Sequence, residues 1–462
     1  MIVTAMSMLE YIPPFAILIL LVFGISLTTV AYLILMERKV AAYVQDRLGP
    51  NRVGPWGLFQ SFADGIKMFV KEDYRPKGTD KVLFSIAPAV MMAVVLTAYA
   101  VIPWGGTMLS GSRTINLPAG QDVQAAVDQA MPMFRTQVGQ PVVQGSQVTF
   151  HYGWPVQIAP LNIGVLFLIA VLSLAVYGVV IGGWASNNKY SFLGGLRATA
   201  QMISYEIPLA LSLLTVVILT GTLDLAQIVD RQAHYWLGFI PAWNVFAHPL
   251  AFVMFLICLH AEANRAPFDL AEAEQELVGG YHTEYTSMRL GLLLLAEYAS
   301  MIATSAVCVA LFFGGWHFPG LNGPDPANPS VTDSLLVVIL RSGVYFLKIL
   351  GLIFVFMWVR WSLPRFRFDQ LMMLAWRAMI PLSLAMLLAT GLVVFFMGPR
   401  DPAFVSMRRL GGSMALVLLA VNVVLIAGAM LISRLLPAPP PTNRRIRVEG
   451  SRFTRTPLPA SA

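Results

Sequence analysis

Long apolar runs recur along the chain and predict a helical membrane protein. Each run approaches or exceeds the roughly 20 residues that a helix needs to cross the hydrocarbon core of a bilayer. The runs lie near 11–35, 82–104, 158–181, 199–220, 245–261, 288–314, 335–359, 378–397 and 413–436. We therefore predict an all-α polytopic membrane protein with about nine transmembrane helices, which form a single membrane domain over residues 1–436.

A helix is predicted between the first two spans, over residues 56–72. Its apolar residues recur at steps of three and four on one face, and Asp64, Lys67 and Lys71 share another face. This is the pattern of an amphipathic helix that lies in the membrane interface. From periodicity alone, a positively charged anchor is the simpler interpretation of this helix, and a ligand site is the alternative.

Two other stretches do not have the pattern of a membrane span. Residues 105–157 are polar with few charges and predict an outer loop, in which 141–152 forms a small hairpin about Gly145. Residues 437–462 are rich in Pro and Arg and predict an extended cytoplasmic tail. We expect the chemistry of the protein to lie elsewhere.

Composition excludes a soluble protein. Apolar residues make up 57% of the chain and charged residues 12%, whereas soluble domains have roughly 45–50% and about 25%. The two cysteines exclude a disulfide framework and an iron–sulfur cluster held by this chain alone.

The positive net charge of +7 gives the orientation of the chain in the membrane and does not indicate that the protein binds nucleic acid. Alternate loops carry 22 and six Lys and Arg residues, which places the N-terminus outside and the C-terminus in the cytoplasm.

Four charged residues fall well inside predicted spans, away from the span ends. They are Glu206, Glu297, Arg341 and Lys348. An isolated charge at the bilayer centre costs about 3 kcal/mol or more, so such groups face protein or water and usually have partners. Two carboxylates and two bases in separate spans favour a proton or ion path over static contacts between helices.

The fifth and sixth spans are joined by a strongly acidic cytoplasmic loop. It carries one base, Arg265, and six carboxylates, which are Glu262, Asp269, Glu272, Glu274, Glu276 and Glu284. Crowded carboxylates raise one another's proton affinity and can exchange protons near neutral pH. A solvated acidic loop is the plain alternative, but Phe268, Leu270 and Leu277 alternate with the acids and favour partial burial. A metal site is less favoured, because the loop lacks the ligand spacing of a calcium site.

Loop 360–377 mixes arginines with aromatic side chains at the cytoplasmic edge. Arg360, Arg365 and Arg367 stand beside Trp361 and Phe366. This mixture suits anionic headgroups, and it equally suits the entrance of a channel for an amphiphile with an apolar tail. No dinucleotide or phosphate-binding glycine motif follows a strand pattern, so any electrons must come from other subunits.

Four long motifs resemble one family, the quinone-site membrane subunit of proton-translocating NADH–quinone oxidoreductase (bacterial respiratory complex I). They are MERKVAAYVQDRLGPNRVGPWGLFQSFADGIKMFVKE (36–72), NKYSFLGGLRATAQMISYE (188–206), AEANRAPFDLAEAEQELVGGYHTEYTSM (261–288, continuing to LAEY at 295–298) and VRWSLPRFRFDQLM (359–372). The resemblance covers roughly 1–104 and 158–397, and it does not cover loop 105–157 or the tail.

The resemblance implies roles for the residues singled out above. Those that resemble the lining of the quinone passage are Arg38, Asp64, Lys67, Lys71, Arg197, Arg265 and Phe268. Those that resemble an acidic proton path are Glu206, Glu262, Asp269, Glu272, Glu274, Glu276, Glu284 and Glu297. Those that resemble the contact with the peripheral arm are Arg360, Arg365, Arg367 and Asp369.

The resemblance also implies the partners. Iron–sulfur and quinone-site subunits of a peripheral arm, with FMN, would deliver electrons from NADH to a quinone, either menaquinone or ubiquinone. This chain would bind no cofactor covalently and no metal. Small membrane subunits, antiporter-like subunits and lipid would surround it in the bacterial plasma membrane.

Three other functions remain open from the sequence. The related subunit of a membrane-bound hydrogenase need not bind quinone, and the dense motif at 36–72 favours the quinone enzyme. A stand-alone ion transporter fits the intramembrane charges but not the acidic loop. A purely structural anchor is the third alternative.

Overall fold

Apolar helices make up most of the structure. The computed structural model describes residues 2–117, 123–132, 135–144, 147–236, 240–271, 277–321, 330–397 and 411–435. The helices are α1 (Ile2–Val44), α2 (Gln60–Val70), α3 (Lys81–Val101), α4 (Val123–Ala130), α5 (Gly164–Ser173), α6 (Ala175–Ala185), α7 (Lys189–Thr220), α8 (Leu225–Arg231), α9 (Asn244–Ala247), α10 (Pro249–Glu262), α11 (Ser287–Phe312), α12 (Leu335–Ser362), α13 (Phe368–Met373), α14 (Ile380–Met397) and α15 (Gly412–Leu435). A π-helical turn, Leu374–Met379, joins α13 to α14. Within the described residues, eight helical stretches are long and apolar enough to cross a membrane, so the predicted polytopic helical fold is confirmed.

Two of the nine predicted spans differ from a single long helix. The run at 158–181 forms α5 and α6, which meet at Leu174, outside both helices. The run at 245–261 forms the short helices α9 and α10, and His248 between them has φ −128° and ψ 63°. At about 1.5 Å per residue, the 14 residues of α10 reach about 21 Å, which is less than the roughly 30 Å of a bilayer core.

Polar residues fix the ends of the long helices. Asn188 caps α7 by accepting a hydrogen bond from the Tyr190 amide (3.0 Å), and α7 ends at Gly221, whose φ of 70° favours glycine. Asp80 caps α3 by accepting from the amides of Val82 and Leu83. The cap at Asn188 explains why α7 begins ten residues before the predicted span at 199.

The outer loop contains a small sheet that the sequence predicts only in part. The strands of this sheet are β1 (Thr107–Asn116), β2 (Thr136–Gln144), β3 (Gln147–Pro155) and, from a later part of the chain, β6 (Val331–Thr332), in the order β2-β3-β1-β6. A separate two-stranded sheet pairs β4 (Tyr235–Trp236) with β5 (Ile240–Pro241). Strands β2 and β3 are antiparallel, with Val142 opposite Thr149, as expected for the predicted hairpin. Its predicted turn residue, Gly145, lies outside the described residues. Strand β1 was missed because its partners lie far along the chain and its sequence lacks alternation.

Helix α2 lies at the surface, beside α1 and α11. None of its side chains is buried, and Phe62, Ile66 and Phe69 are 59–73% exposed. The Ser61 hydroxyl donates to the Ala31 carbonyl of α1 (2.7 Å). The exposed apolar face agrees with the pattern that predicted an interfacial helix, although the helix is shorter than 56–72.

Helix α11 is the most buried span and is held at both ends and in the middle. At its first residue, the Ser287 hydroxyl lies 2.9 Å from the carbonyl oxygens of both Met68 and Lys71, next to α2. In the middle, the Tyr99 hydroxyl donates to the Ala299 carbonyl (2.7 Å) and the Tyr345 hydroxyl to the Ala306 carbonyl (2.8 Å). The core of the bundle therefore centres on α11.

The two intramembrane bases of α12 bind main-chain carbonyls. The Lys348 ammonium donates to the carbonyls of Phe313, Gly315 and His317, each at 2.8 Å, just past the end of α11. The fully buried Arg341 donates to the carbonyls of Leu321 and Ser330. These contacts favour a static role for both bases rather than the ion path that their sequence positions suggested.

We expect Lys348→Met to destabilise the fold. The substitution leaves three carbonyls without their shared donor, and each buried acceptor left unpaired costs about 1–3 kcal/mol. The measurement is the thermal unfolding midpoint of the detergent-extracted protein. The neighbouring Leu347→Met, at a side chain that is 69% exposed, is the matched control. An equal midpoint for both variants would contradict the assignment.

Candidate functional site

A buried carboxylate near the end of α1 collects partners from three distant segments. Glu37 is 6% exposed. The Tyr298 hydroxyl of α11 donates to its Oε2 atom (2.7 Å), and Arg265 Nη1 lies 3.4 Å from the same oxygen. Arg360 of α12 donates to Oε1. We call Glu37, Arg265, Tyr298 and Arg360 the Glu37 cluster.

Glu37 was missed in the sequence because the first span was predicted to end at residue 35. The helix continues to Val44, so Glu37 lies on a helix that packs in the bundle and not in the loop after it. The available signal was a lone acidic residue between Met36 and the positive charges of Arg38 and Lys39. That signal alone does not distinguish a buried carboxylate from a solvated one.

Arg265 is the centre of positive charge in the cluster. Its guanidinium carbon lies 4.1 Å from the centre of the Tyr298 ring, in the geometry of a cation–π contact. Burial opposes the charged form, but Tyr298 and the carboxylates of Glu37 and Glu297 outweigh it, so the pKa of Arg265 is raised above its ordinary value. The guanidinium therefore remains charged despite being 7% exposed.

The cluster forms one wall of a cavity of about 690 Å³ between α1, α2 and α11. Five of the predicted site residues line this cavity: Arg38, Asp64, Arg265, Glu297 and Arg360. Apolar side chains line other parts of the wall, among them Val30, Ile34, Leu294 and Leu295. The cavity thus combines an apolar surface with a charged one.

Arg38 and Asp64 connect α1 to the surface helix α2. Arg38 Nη1 lies 2.6 Å from Asp64 Oδ2, and Gln60 donates to Asp64 Oδ1 (3.0 Å). The two side chains are 48% and 28% exposed, so the pair adds little stability. Lys67 and Lys71 are exposed on α2 and just after it, and they do not line the cavity.

A second group of predicted residues joins the loop after α10 to the loop between α12 and α13. Asp269 is 3% exposed, and its Oδ2 atom accepts from Arg365 Nη2 (2.8 Å). Phe268 packs between Tyr205 and Phe366, with ring centres 5.4 and 5.7 Å away. Gln201 of α7 donates to the carbonyl of Phe268 (2.7 Å). This loop is therefore fixed to both α7 and the segment before α13.

Three predicted carboxylates follow one another through the bundle. Glu297 and Glu262 line the same cavity of about 20 Å³, which has room for about one water molecule. Glu262 and Glu206 are close enough for their charges to interact. The Ser173 hydroxyl donates to Glu206 Oε1. The order Glu297, Glu262, Glu206 thus runs from the Glu37 cluster toward α5.

The remaining predicted residues lie apart from these groups. Arg197 is half-buried on α7 and does not line the 690 Å³ cavity. Asn188 donates to Glu284 (2.7 Å). Arg367 is exposed, and Asp369 lies in the first turn of α13. Glu272, Glu274 and Glu276 lie outside the described residues, as does the tail 437–462. Residues 268–271, which include Asp269, are not helical.

The described part of the chain holds no group of three or more His, Cys, Asp or Glu side chains arranged for a metal ion. The two cysteines, Cys258 and Cys308, are both buried in the apolar core. The chemistry of the described site therefore rests on carboxylates, guanidiniums and one phenol.

Comparison with known proteins gives a consistent result. Residues 16–391 match the family described as NADH dehydrogenase. The chain is 44% identical to an H subunit of the NADH-quinone oxidoreductase of Cytophaga hutchinsonii over 382 residues, which cover 83% of this chain and 97% of that protein. It is 43% identical to the H subunit of the same enzyme in Flavobacterium johnsoniae over 379 residues (82% and 94%) and 44% identical to that of Leptospira biflexa over 368 residues (79% and 90%). The resemblance predicted from the four motifs is confirmed.

We expect Glu37→Gln to destabilise the protein far more than Tyr298→Phe. The first change leaves two guanidiniums without their carboxylate, and breaking a buried ion pair from one side costs about 3–5 kcal/mol. The second removes one hydrogen bond, at about 1–3 kcal/mol. The measurement is the thermal unfolding midpoint of the extracted protein.

The control for these variants is Tyr43→Phe, at a tyrosine on α1 that is 67% exposed. It should leave the midpoint unchanged. A smaller loss for Glu37→Gln than for Tyr298→Phe would show that the cluster does not depend on the carboxylate.

Proposed function

The chain belongs to the NADH dehydrogenase family, and we propose that it is the multi-pass membrane subunit that admits quinone to an NADH–quinone oxidoreductase and couples quinone reduction to proton movement. The observation that carries this proposal is the 690 Å³ cavity, which joins an apolar wall to the Glu37 cluster. The relatives bear the name of the quinone enzyme, which favours this function over a hydrogenase subunit or a stand-alone transporter.

The cavity has the properties that a quinone requires. Its volume lies in the range of about 300–1,000 Å³ that is usual for small-molecule sites. Val30, Ile34 and Leu294 offer an apolar surface to an isoprenoid tail. Arg38 and Arg265 offer donors to the carbonyl oxygens of the ring. Helix α2, with its exposed apolar face, lies beside this cavity, and a tail can enter from the bilayer there.

Quinone reduction supplies charge next to the Glu37 cluster. A quinone that accepts two electrons takes up two protons, so negative charge appears transiently in a confined space. Two charges about 4 Å apart interact by about 4 kcal/mol at an effective dielectric constant near 20. One pKa unit corresponds to about 1.4 kcal/mol, so a single new charge is sufficient to change the protonation of a neighbouring carboxylate.

The proton path begins at Glu297 and continues through Glu262 to Glu206. Glu297 faces the quinone cavity on one side and the small cavity that it shares with Glu262 on the other. One water molecule in that small cavity would bridge the two carboxylates. Asp269 and Glu284, with the three carboxylates outside the described residues, extend the acidic surface on the cytoplasmic side. From Glu206 the change in charge passes to antiporter-like membrane partners.

The cytoplasmic loops supply the contact with the peripheral arm. Arg360, Arg365, Arg367 and Asp369 lie on one segment, and Arg365 ties it to Asp269. Partner subunits on this side would bring FMN and iron–sulfur clusters, and electrons from NADH would reach menaquinone or ubiquinone there. The basic loops favour an orientation with this side in the cytoplasm of a bacterial plasma membrane and the N-terminus outside.

We expect a photoreactive quinone to label the cavity in the intact complex. Labelled peptides should come from residues 30–38 of α1 and 291–298 of α11, as identified by mass spectrometry. Ile34→Trp fills the cavity wall and should lower both the labelling and the quinone reductase activity. Ile17→Trp, at a side chain on the same helix that is 58% exposed, should change neither. Absence of label from this chain in an active complex would overturn the quinone assignment.

We expect Glu206→Gln to reduce quinone-linked activity and proton pumping without preventing assembly. The amide keeps the size of the side chain and removes the group that can be ionised. NADH oxidation by quinone and the number of protons moved per NADH are measured in proteoliposomes. Asp333→Asn, at an exposed residue outside the path, is the control. Wild-type pumping by an assembled Glu206→Gln complex would exclude Glu206 from the path.

A further inference from the structure

The hydroxyl of Ser173 lies where a membrane helix is interrupted and where the proton path ends. Ser173 is the last residue of α5, and α6 begins at Ala175. On either side of this interruption, Leu172 and Ala175 form part of the wall of the small cavity that Glu262 and Glu297 share. The interruption therefore touches the same cavity as the two carboxylates.

The Ser173 oxygen is within hydrogen-bond range of two acceptors. One is the Ile169 carbonyl of its own helix (2.9 Å), and the other is Glu206 Oε1 on α7. A hydroxyl carries one proton and two lone pairs, so it donates to one of these acceptors at a time. When it donates to Ile169, its oxygen is available to accept a hydrogen bond from protonated Glu206.

This arrangement provides a hydrogen bond for Glu206 in both of its protonation states. The ionised carboxylate accepts from Ser173. The protonated carboxyl donates to Ser173, whose own proton then turns to the Ile169 carbonyl. The exchange needs only a rotation about one bond, and neither state leaves the Glu206 oxygen that faces Ser173 without a partner in an apolar span.

Other charged groups border this stretch of α7. Glu262 of α10 interacts with Glu206. On the flank that carries Ser204, the Trp376 indole donates to the Ser204 hydroxyl (3.3 Å), and the same segment contains Asp369 and Arg377. Among these groups, Glu262 is the one whose charge interacts with that of Glu206.

We propose that Ser173 is the positioning residue of Glu206, which holds the carboxyl group in one orientation while it gains and loses a proton. The proposal rests on the proposed function, because it assigns Ser173 to the path that ends at Glu206. It goes beyond that function by naming the group that provides Glu206 with a hydrogen bond in both of its protonation states.

The proposal predicts a change in pH dependence for Ser173→Ala. Without the hydroxyl, the ionised carboxylate loses its donor in an apolar surrounding, and its protonated form is favoured. The acid limb of the pH profile of NADH–quinone activity should then move to higher pH, by about one to two pH units, from the strength of a hydrogen bond to a charged group. Ser173→Thr keeps the hydroxyl and should restore the wild-type profile within about twofold in rate.

The experiment uses the intact complex in proteoliposomes and compares Ser173→Ala, Ser173→Thr and the control Ser212→Ala. Ser212 is fully buried on α7, and its hydroxyl donates to the Leu209 carbonyl (2.8 Å). A merely structural serine would lower the amount of complex without moving the profile. If Ser173→Ala fails to assemble, Ser173→Cys, a weak donor, decides the question by an intermediate shift or by none.

The outcomes separate the two proposals. A wild-type profile in Ser173→Ala, together with lost pumping in Glu206→Gln, would overturn the role of Ser173 and leave the proton path standing. Wild-type pumping in both variants would overturn the path itself. A shifted profile in Ser173→Ala that Ser173→Thr reverses, with Ser212→Ala unchanged, supports the positioning role.

Discussion

A charge that is removed from water must be matched by other charges or by hydrogen bonds. The rest of this structure depends on how the Glu37 cluster meets that constraint. One carboxylate from α1 faces two guanidiniums and a phenol, which come from the loop after α10, from α12 and from α11. Removing water from these groups separately would destabilise the bundle by several kcal/mol for each ion. Together they hold the C-terminal ends of α1 and α12 and one loop around the same cavity, so the geometry of the cavity and the stability of this end of the bundle have a common origin.

The same constraint distinguishes two kinds of buried charge in this chain. The three N–H donors of Lys348 bind three main-chain carbonyls, and Arg341 donates to two more. Carbonyls do not titrate, so proton exchange does not break these contacts. Glu297, Glu262 and Glu206 instead border a charged cavity, a water-sized cavity and a serine hydroxyl that can reorient. A carboxylate with such neighbours can change its protonation with small rearrangements. The groups that contact a buried charged side chain, more than its depth in the membrane, therefore indicate whether that side chain is suited to proton movement.

Much of the helical fold could be predicted from the sequence, because a span of apolar residues is a local signal that needs no knowledge of neighbours. The limits arise where partners are distant. Strand β1 pairs with β3 some forty residues away, and its own sequence does not alternate. Glu37 has the same appearance in the sequence whether it is solvated or buried, and only the positions of Arg265, Tyr298 and Arg360 distinguish the two. Lys348 was grouped with the carboxylates because sequence shows a charge in a span but not the three carbonyls beyond the end of α11 that bind it.

The attachment of α11 restricts how information can travel through this subunit. Its first residue is bound to the backbone of α2 and its neighbour Lys71, and Lys348 binds the three carbonyls just past its last turn. If α11 slid along its axis or rotated about it, both attachments would break. We therefore expect α11 to keep its position relative to its neighbours. A signal that passes Glu297 on this helix must therefore be carried by relocating protons and reorienting small polar groups, with the backbone at rest.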